Sequence, residues 1–177
     1  MGRMAEMTAM GASHKDSSAF DVLLARHIGI VHKVAAAYAN SPDDRRDLGQ
    51  EICLQLCKAF PRYDHERRFS TWMYRIALNV AISFARTAYV QRSTVALEDS
   101  DAHLLEANAA PDVDERIELL QQLIAMLDPL DRALLMLYLE EYSYREIAET
   151  VGITETNVAT KIGRLKQRVR KNIVHRQ

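Results

Sequence analysis

Seven basic side chains, Lys161, Arg164, Lys166, Arg168, Arg170, Lys171 and Arg176, stand between Lys161 and Gln177 with no acid among them. Over the whole chain they are offset, because 23 Lys and Arg face 24 Asp and Glu for a formal charge of -1. A polyanion would therefore meet a local basic surface and not a basic molecule. At about 100° per residue of helix, Asn157, Thr160, Lys161, Arg164, Arg168 and Lys171 cluster about a right angle or more from the apolar Val158, Ile162, Leu165 and Val169. That face would meet duplex DNA, with guanidinium and amide groups for base edges and ammonium groups for phosphates. The alternative is a solvated amphipathic helix that only packs on its neighbours.

Two further sets are chemically capable. Trp72, Arg75, Asn79, Ser83 and Arg86 recur at helical spacing beside an apolar stripe. Bases stack on flat groups, Arg pairs with phosphate and an amide reads a base edge, so the set suits single-stranded nucleic acid. Trp72 could equally belong to the core. Upstream, Asp47, Glu51, Leu54 and Lys58 line the side opposite Leu48, Ile52, Leu56 and Ala59. A leucine among charges on an outward face fits a protein partner, although single exposed apolar residues are common.

Enzyme and metal chemistry are poorly served. No Gly-rich phosphate loop occurs, and His14, His27, His32, His65, His103 and His175 are scattered. Cys53 and Cys57, four apart on a helical segment, face the same way and are badly aimed to bridge. A zinc site would need about four ligands, so the pair reads as small buried hydrophobes in a reduced, cytoplasmic setting. No cofactor is expected. No run of about 18 apolar residues is present to cross a membrane, and Met1 to Ser18 lacks the apolar core of a secretory signal.

The elements that must carry these faces are all helical by their periodicity. Phe20, Leu24, Ile28, Val31, Ala35 and Tyr38 mark a first helix ending near Asn40. Ser41-Pro42-Asp43-Asp44 offers a cap, a first-turn proline and two carboxylates to a second helix, which runs to about Phe60. After Pro61 and a charged loop, Ser70 is expected to cap a third, with Met73, Ile76, Ala77, Val80 and Phe84 inward. Downstream, Ile117, Leu120, Ile124 and Leu127 form a stripe, and Asp128-Pro129 ends one helix and begins the next. Ser143 with Glu146 is a capping box, Gly152 a C-cap, and Thr154 the cap of a last helix to about Val174. Short helix, Gly turn and basic helix together form a helix-turn-helix pattern. Glu98, Asp99, Asp101, Glu106, Asp112, Asp114, Glu115 and Glu118 oppose only Arg116, so the first part of that segment is a linker. The expected organisation is an all-α protein of two small helical domains. A disordered leader occupies 1–17, a first domain 18–92, an acidic linker 93–111 and a second domain 112–177.

DLGQEICLQLCKAF at Asp47 to Phe60 and RFSTWMYRIALNVAISFAR at Arg68 to Arg86 closely resemble region 2 of the extracytoplasmic-function (ECF) group of bacterial sigma factors. LDPLDRALLMLYLEEYSYREIAETVGITETNVATKIGRLKQRVRK at Leu127 to Lys171 resembles region 4 of the same group. The resemblance implies an adaptor between core RNA polymerase and promoter DNA. Asp47, Gln50, Glu51, Leu54 and Lys58 would meet the clamp of the largest polymerase subunit, and region 4 the flap. Arg68, Trp72, Arg75, Asn79, Ser83 and Arg86 would melt and read the -10 element, with Asn79 at the flipped base. Asn157, Thr160, Lys161, Arg164, Arg168 and Lys171 would read the -35 element. The linker would replace region 3 and thread toward the active-site and RNA-exit channels. Control by a separate anti-sigma partner is implied as well. Ala159 stands where Lys is common, Gly163 where a larger residue often touches DNA, and Cys53 and Cys57 where aromatic residues are frequent. An ordinary helix-turn-helix regulator would need the last two helices but not the Trp72 to Arg86 face.

Overall fold

The computed structural model describes residues 2–95 and 127–174, with side chains over 18–87 and 127–170 apart from Val169. The described residues form six α-helices and one short 3-10 turn, with no strand. These are α1 (Gly2–Tyr38), α2 (Pro42–Ala59), the turn Phe60–Arg62, α3 (Phe69–Val95), α4 (Pro129–Leu139), α5 (Tyr144–Val151) and α6 (Glu155–Val174). Two compact units result, Met1–Val80 and Ala81–Gln177, and their boundary falls within α3. Of the expected linker at 93–111, residues 93–95 end α3, and 96–111 lie outside the described residues together with Ile117, Leu120 and Ile124.

In the first unit, Val31, Val34, Ala35 and Tyr38 of α1 and Leu48, Ile52 and Leu56 of α2 are buried where the two helices pack. The corner between them is built locally. Ser41 is in an extended conformation and its Oγ accepts the Asp44 amide at 3.0 Å, while Pro42, Asp43 and Asp44 occupy the first turn. Arg45 Nε donates to the Ala39 carbonyl at 3.0 Å, tying the first turn of α2 to the end of α1. Helix α1 also takes in residues 2–17, where sequence alone indicates a disordered leader.

An aromatic cluster seats α3. Phe60 of the 3-10 turn meets Phe20 of α1 at 4.9 Å between ring centroids and Trp72 of α3 at 6.2 Å, and His27 meets Phe69 at 5.3 Å. Such pairs add about 0.5–1.5 kcal/mol each beyond the area they bury. Because Phe69 belongs to this cluster, the helix starts there. The Trp72 amide donates to the Arg68 carbonyl at 3.2 Å, so Ser70 lies inside the first turn and does not cap it as expected. The buried stripe of α3 includes Met73, Tyr74, Ala77 and Leu78, whereas Ile76, Val80 and Phe84 are only half-buried.

In the second unit α4, α5 and α6 pack on one another around Ala133, Leu134, Leu137, Ile147, Ala148, Val158, Ile162 and Leu165. Each helix end is set by its own residues. Asp128 caps α4, its side chain accepting from the Leu130 and Asp131 amides at 3.0 and 2.9 Å. Ser143 and Glu146 form the full capping box of α5, and Gly152 closes it with φ 79°. Thr154 Oγ1 accepts the Asn157 amide at 3.3 Å at the start of α6. Buried Thr150 donates its hydroxyl to the Glu146 carbonyl at 2.6 Å, which removes the cost of an unsatisfied polar group.

Candidate nucleic-acid interface

On α6 the burial of Val158, Ile162 and Leu165 turns Asn157, Thr160, Arg164 and Arg168 to the surface. The Thr160 hydroxyl donates back to the Thr156 carbonyl at 2.9 Å, leaving its methyl and lone pairs outward. Lys161 departs from the expected arrangement. Its Nζ lies 2.8 Å from Asp131 Oδ1 of α4, and its side chain is only 34% exposed. Lys166 sits over the Tyr138 ring, 4.3 Å from its centroid, and a hydrogen bond to Tyr138 holds its ammonium above the usual lysine range. Lys171 is on α6, but its side chain lies outside the described ones. The exposed face also includes Ala159 and Gly163, and a Cβ at Gly163 would meet nothing within 4 Å. This part of the face is flat, and its cationic reach comes from Arg164 and Arg168.

Arg68, immediately before α3, and Arg75, Asn79, Ser83 and Arg86 on it are exposed. Trp72 is half-buried: part of the indole packs on Phe60, Tyr63 and Phe69 and part faces solvent. Tyr63, which the sequence pattern left unmarked, stands 4.9 Å from Trp72 in the loop before α3. Its hydroxyl donates to the Arg67 carbonyl, and burial, then the nearby Asp64 charge, raises its pKa above the usual phenol value. An isolated aromatic in a charged loop, directly after Pro61-Arg62, is the signal that could have found it.

On α2, Asp47, Gln50, Glu51, Leu54 and Lys58 are all exposed. Glu51 Oε1 accepts from Gln55 at 2.7 Å. Leu54 is 48% exposed and is one of three large hydrophobic side chains at the described surface, with Val22 and Leu139. The cysteines need correction: Cys57 is exposed, not buried, and Cys53 is partly buried, its thiol pushed up by desolvation. Cys53 sits on the flank of the Leu48, Ile52 and Leu56 stripe of α2 and Cys57 farther round, on the exposed side. Among the described residues no group of His, Cys, Asp and Glu could hold a metal ion, and no helix is long and apolar enough to cross a membrane.

Two stretches of the chain coincide with known sequence families. The family model for Sigma-70 region 2 matches residues 23–89, and that for Sigma-70, region 4 matches 117–169. The ECF RNA polymerase sigma factor SigW of Bacillus subtilis is 22% identical over 169 residues, covering 89% of this chain and 90% of its own. RNA polymerase sigma factor NccH of Alcaligenes xylosoxydans xylosoxydans is 25% identical over 170 residues, covering 93% and 91%. Among solved structures, the sigma factor RpoE in complex with the anti-sigma factor NepR from Bartonella quintana aligns with TM-score 0.65 and 17% identity over 86% of this chain and 94% of that one. CnrH in complex with the cytosolic domain of CnrY aligns with TM-score 0.63 and 20% identity over 97% of each. The fold and the paired regions define a bacterial transcription-initiation factor of the sigma-70 type. Within that class the chain belongs to the extracytoplasmic-function group of sigma factors, which bind core RNA polymerase and direct it to promoters.

Proposed function

We propose that initiation is divided among three exposed faces. Asp47, Gln50, Glu51, Leu54 and Lys58 on α2 dock on the polymerase clamp, and the α4–α6 unit docks on the flap. Arg68 just before α3 and Trp72, Arg75, Asn79, Ser83 and Arg86 on it trap and read the melted -10 strand. Asn157, Thr160, Arg164, Arg168 and Lys171 on α6 read the -35 duplex, with Lys161 at the edge of that face. The bounds follow the same division: 18–92 for the first functional domain, 93–111 for the linker and 112–177 for the second. The observation that carries the reading is α3, whose exposed arginines and Asn79 flank a half-buried indole within the stretch that matches region 2. A duplex-binding regulator has no use for an exposed indole face, because an indole stacks only on bases already out of the duplex.

The chain performs no covalent chemistry of its own, works in the cytoplasm and is held inactive by a separate anti-sigma protein. Both similar solved structures were determined with such a partner or a partner's cytosolic domain. A photo-crosslinking amino acid at Leu54, Arg75 or Arg164 tests the division in one holoenzyme-promoter complex. Expected targets are the largest polymerase subunit, the non-template -10 strand and the -35 duplex respectively. Exchange of any two targets refutes the assignment of those faces.

A further inference from the structure

We propose that Asp131 and Lys161 form a strut that sets the pose of α6, so that Lys161 is a positioning residue for -35 recognition and not a phosphate contact. The proposal rests on α6 being the duplex-reading helix. Measured from the centre of the buried Val158, Ile162 and Leu165 stripe, Lys161 lies only about 65° away, while Thr160 and Arg164 lie about 120° or more away. Lys161 thus emerges at the seam where α6 meets α4, and its ammonium turns into the seam to reach Asp131 at 2.8 Å.

The receiving end is rigid. The Asp131 amide donates to the capping carboxylate of Asp128 at 2.9 Å, which fixes Asp131 in the first turn of α4, and its side chain is only 13% exposed. Arg46–Asp43 and Arg145–Glu149, by contrast, join residues three or four apart and stand well exposed, where ion pairs contribute little. The Asp131–Lys161 pair spans thirty residues and links two helices. A cation held this way supplies no counterion release when DNA binds, because its charge is already matched. What it supplies is the angle at which Thr160, Arg164 and Arg168 enter the groove.

The test is -35 binding by reconstituted holoenzyme on wild-type and -35-mutated promoters over a range of salt, at a temperature where circular dichroism shows every variant folded. Lys161→Met and Asp131→Asn should each weaken wild-type promoter binding by about threefold to tenfold and narrow the discrimination between promoters, without adding to one another. The salt slope should stay unchanged. The exchange pair Asp131→Lys with Lys161→Asp should recover most of the loss. A salt slope reduced by about one in Lys161→Met, with tighter binding by Asp131→Asn as the ammonium is released to a phosphate, overturns the proposal. So does normal binding by both single variants. If Arg164→Ala and Arg168→Ala are also without effect, the duplex-reading assignment of α6 fails, and the strut fails with it.

Discussion

The rings of Tyr63 and Trp72 lie 4.9 Å apart, tilted at 49°, so the loop between the 3-10 turn and α3 braces the indole from one side. Phe60 and Phe69 complete the brace. A side chain held on this side has little freedom left, and a base stacking on its open part would lose little additional entropy.

Trp72 should therefore carry separable structural and functional roles. Trp72→Ala is expected to lower unfolding free energy by about 2 kcal/mol, less than for a fully buried aromatic, and to abolish -10 melting. Trp72→Phe should keep most of the stability and lose part of the melting. Asn79→Ala, at an exposed position, should leave stability and closed-complex formation unchanged while impairing melting or altering preference at one -10 base. Urea titration paired with permanganate footprinting checks all three, and normal melting by Asn79→Ala on every -10 variant would refute its role.

Leu54→Asp tests the polymerase face. Its side chain is 48% exposed, so the substitution leaves the core intact and places a charge where desolvation on docking is costly. Affinity for core polymerase should fall at least tenfold with an unchanged melting curve. Unchanged affinity would move the interface off this face.

Helix termination in the second unit offers a stability prediction. Glu141 has φ 62°, its amide donates to the Tyr138 carbonyl at 3.1 Å and that of Tyr142 to Leu137 at 3.1 Å, which is the Schellman arrangement with glutamate where glycine is usual. Glu141→Gly should stabilise the unit by about 0.5–1 kcal/mol, relieving both the left-handed strain and an acid at the negative helix end. Gly152→Ala, at φ 79°, should cost about 1–2 kcal/mol. Denaturant midpoints that moved the opposite way would contradict this account of the two turns.

Caps of this kind are what the sequence made legible. Ser41-Pro42, Ser143 with Glu146, Gly152 and Thr154 work through neighbours within four residues, so pattern alone locates them. The exposed faces of α2, α3 and α6 follow from helical period in the same way. What escaped depends on partners distant in the chain. Ser70 does not cap α3 because Phe69 is drawn into a cluster with Phe60 and His27, and the ion pair of Lys161 joins it to Asp131 thirty residues upstream. Cys57 is exposed because it lies about 140° round α2 from the centre of its buried stripe, which the helical period shows and composition does not.

Acid should weaken the second unit in part through Asp128. Partial burial alone would raise its pKa, but the hydrogen bond from the Asp131 amide, the Lys161 charge and the Leu130 amide outweigh this and hold the carboxyl below its ordinary value. A depressed folded pKa gives stability that is present above the unfolded value, about 3.9, and is lost as pH falls through the folded one. Asp128→Asn keeps a competent cap and should flatten this part of the acid dependence while lowering stability at neutral pH. An identical acid profile for wild type and variant would show that Asp128 does not control it.

Start-site-specific transcription by purified core polymerase is the most direct measurement. Given the chain and a promoter from a cell that overproduces it, core enzyme should yield one defined transcript that disappears when either the -10 or the -35 element is scrambled. If the chain instead binds the promoter duplex by itself, adds nothing to core polymerase and directs no defined start, the central assignment is contradicted.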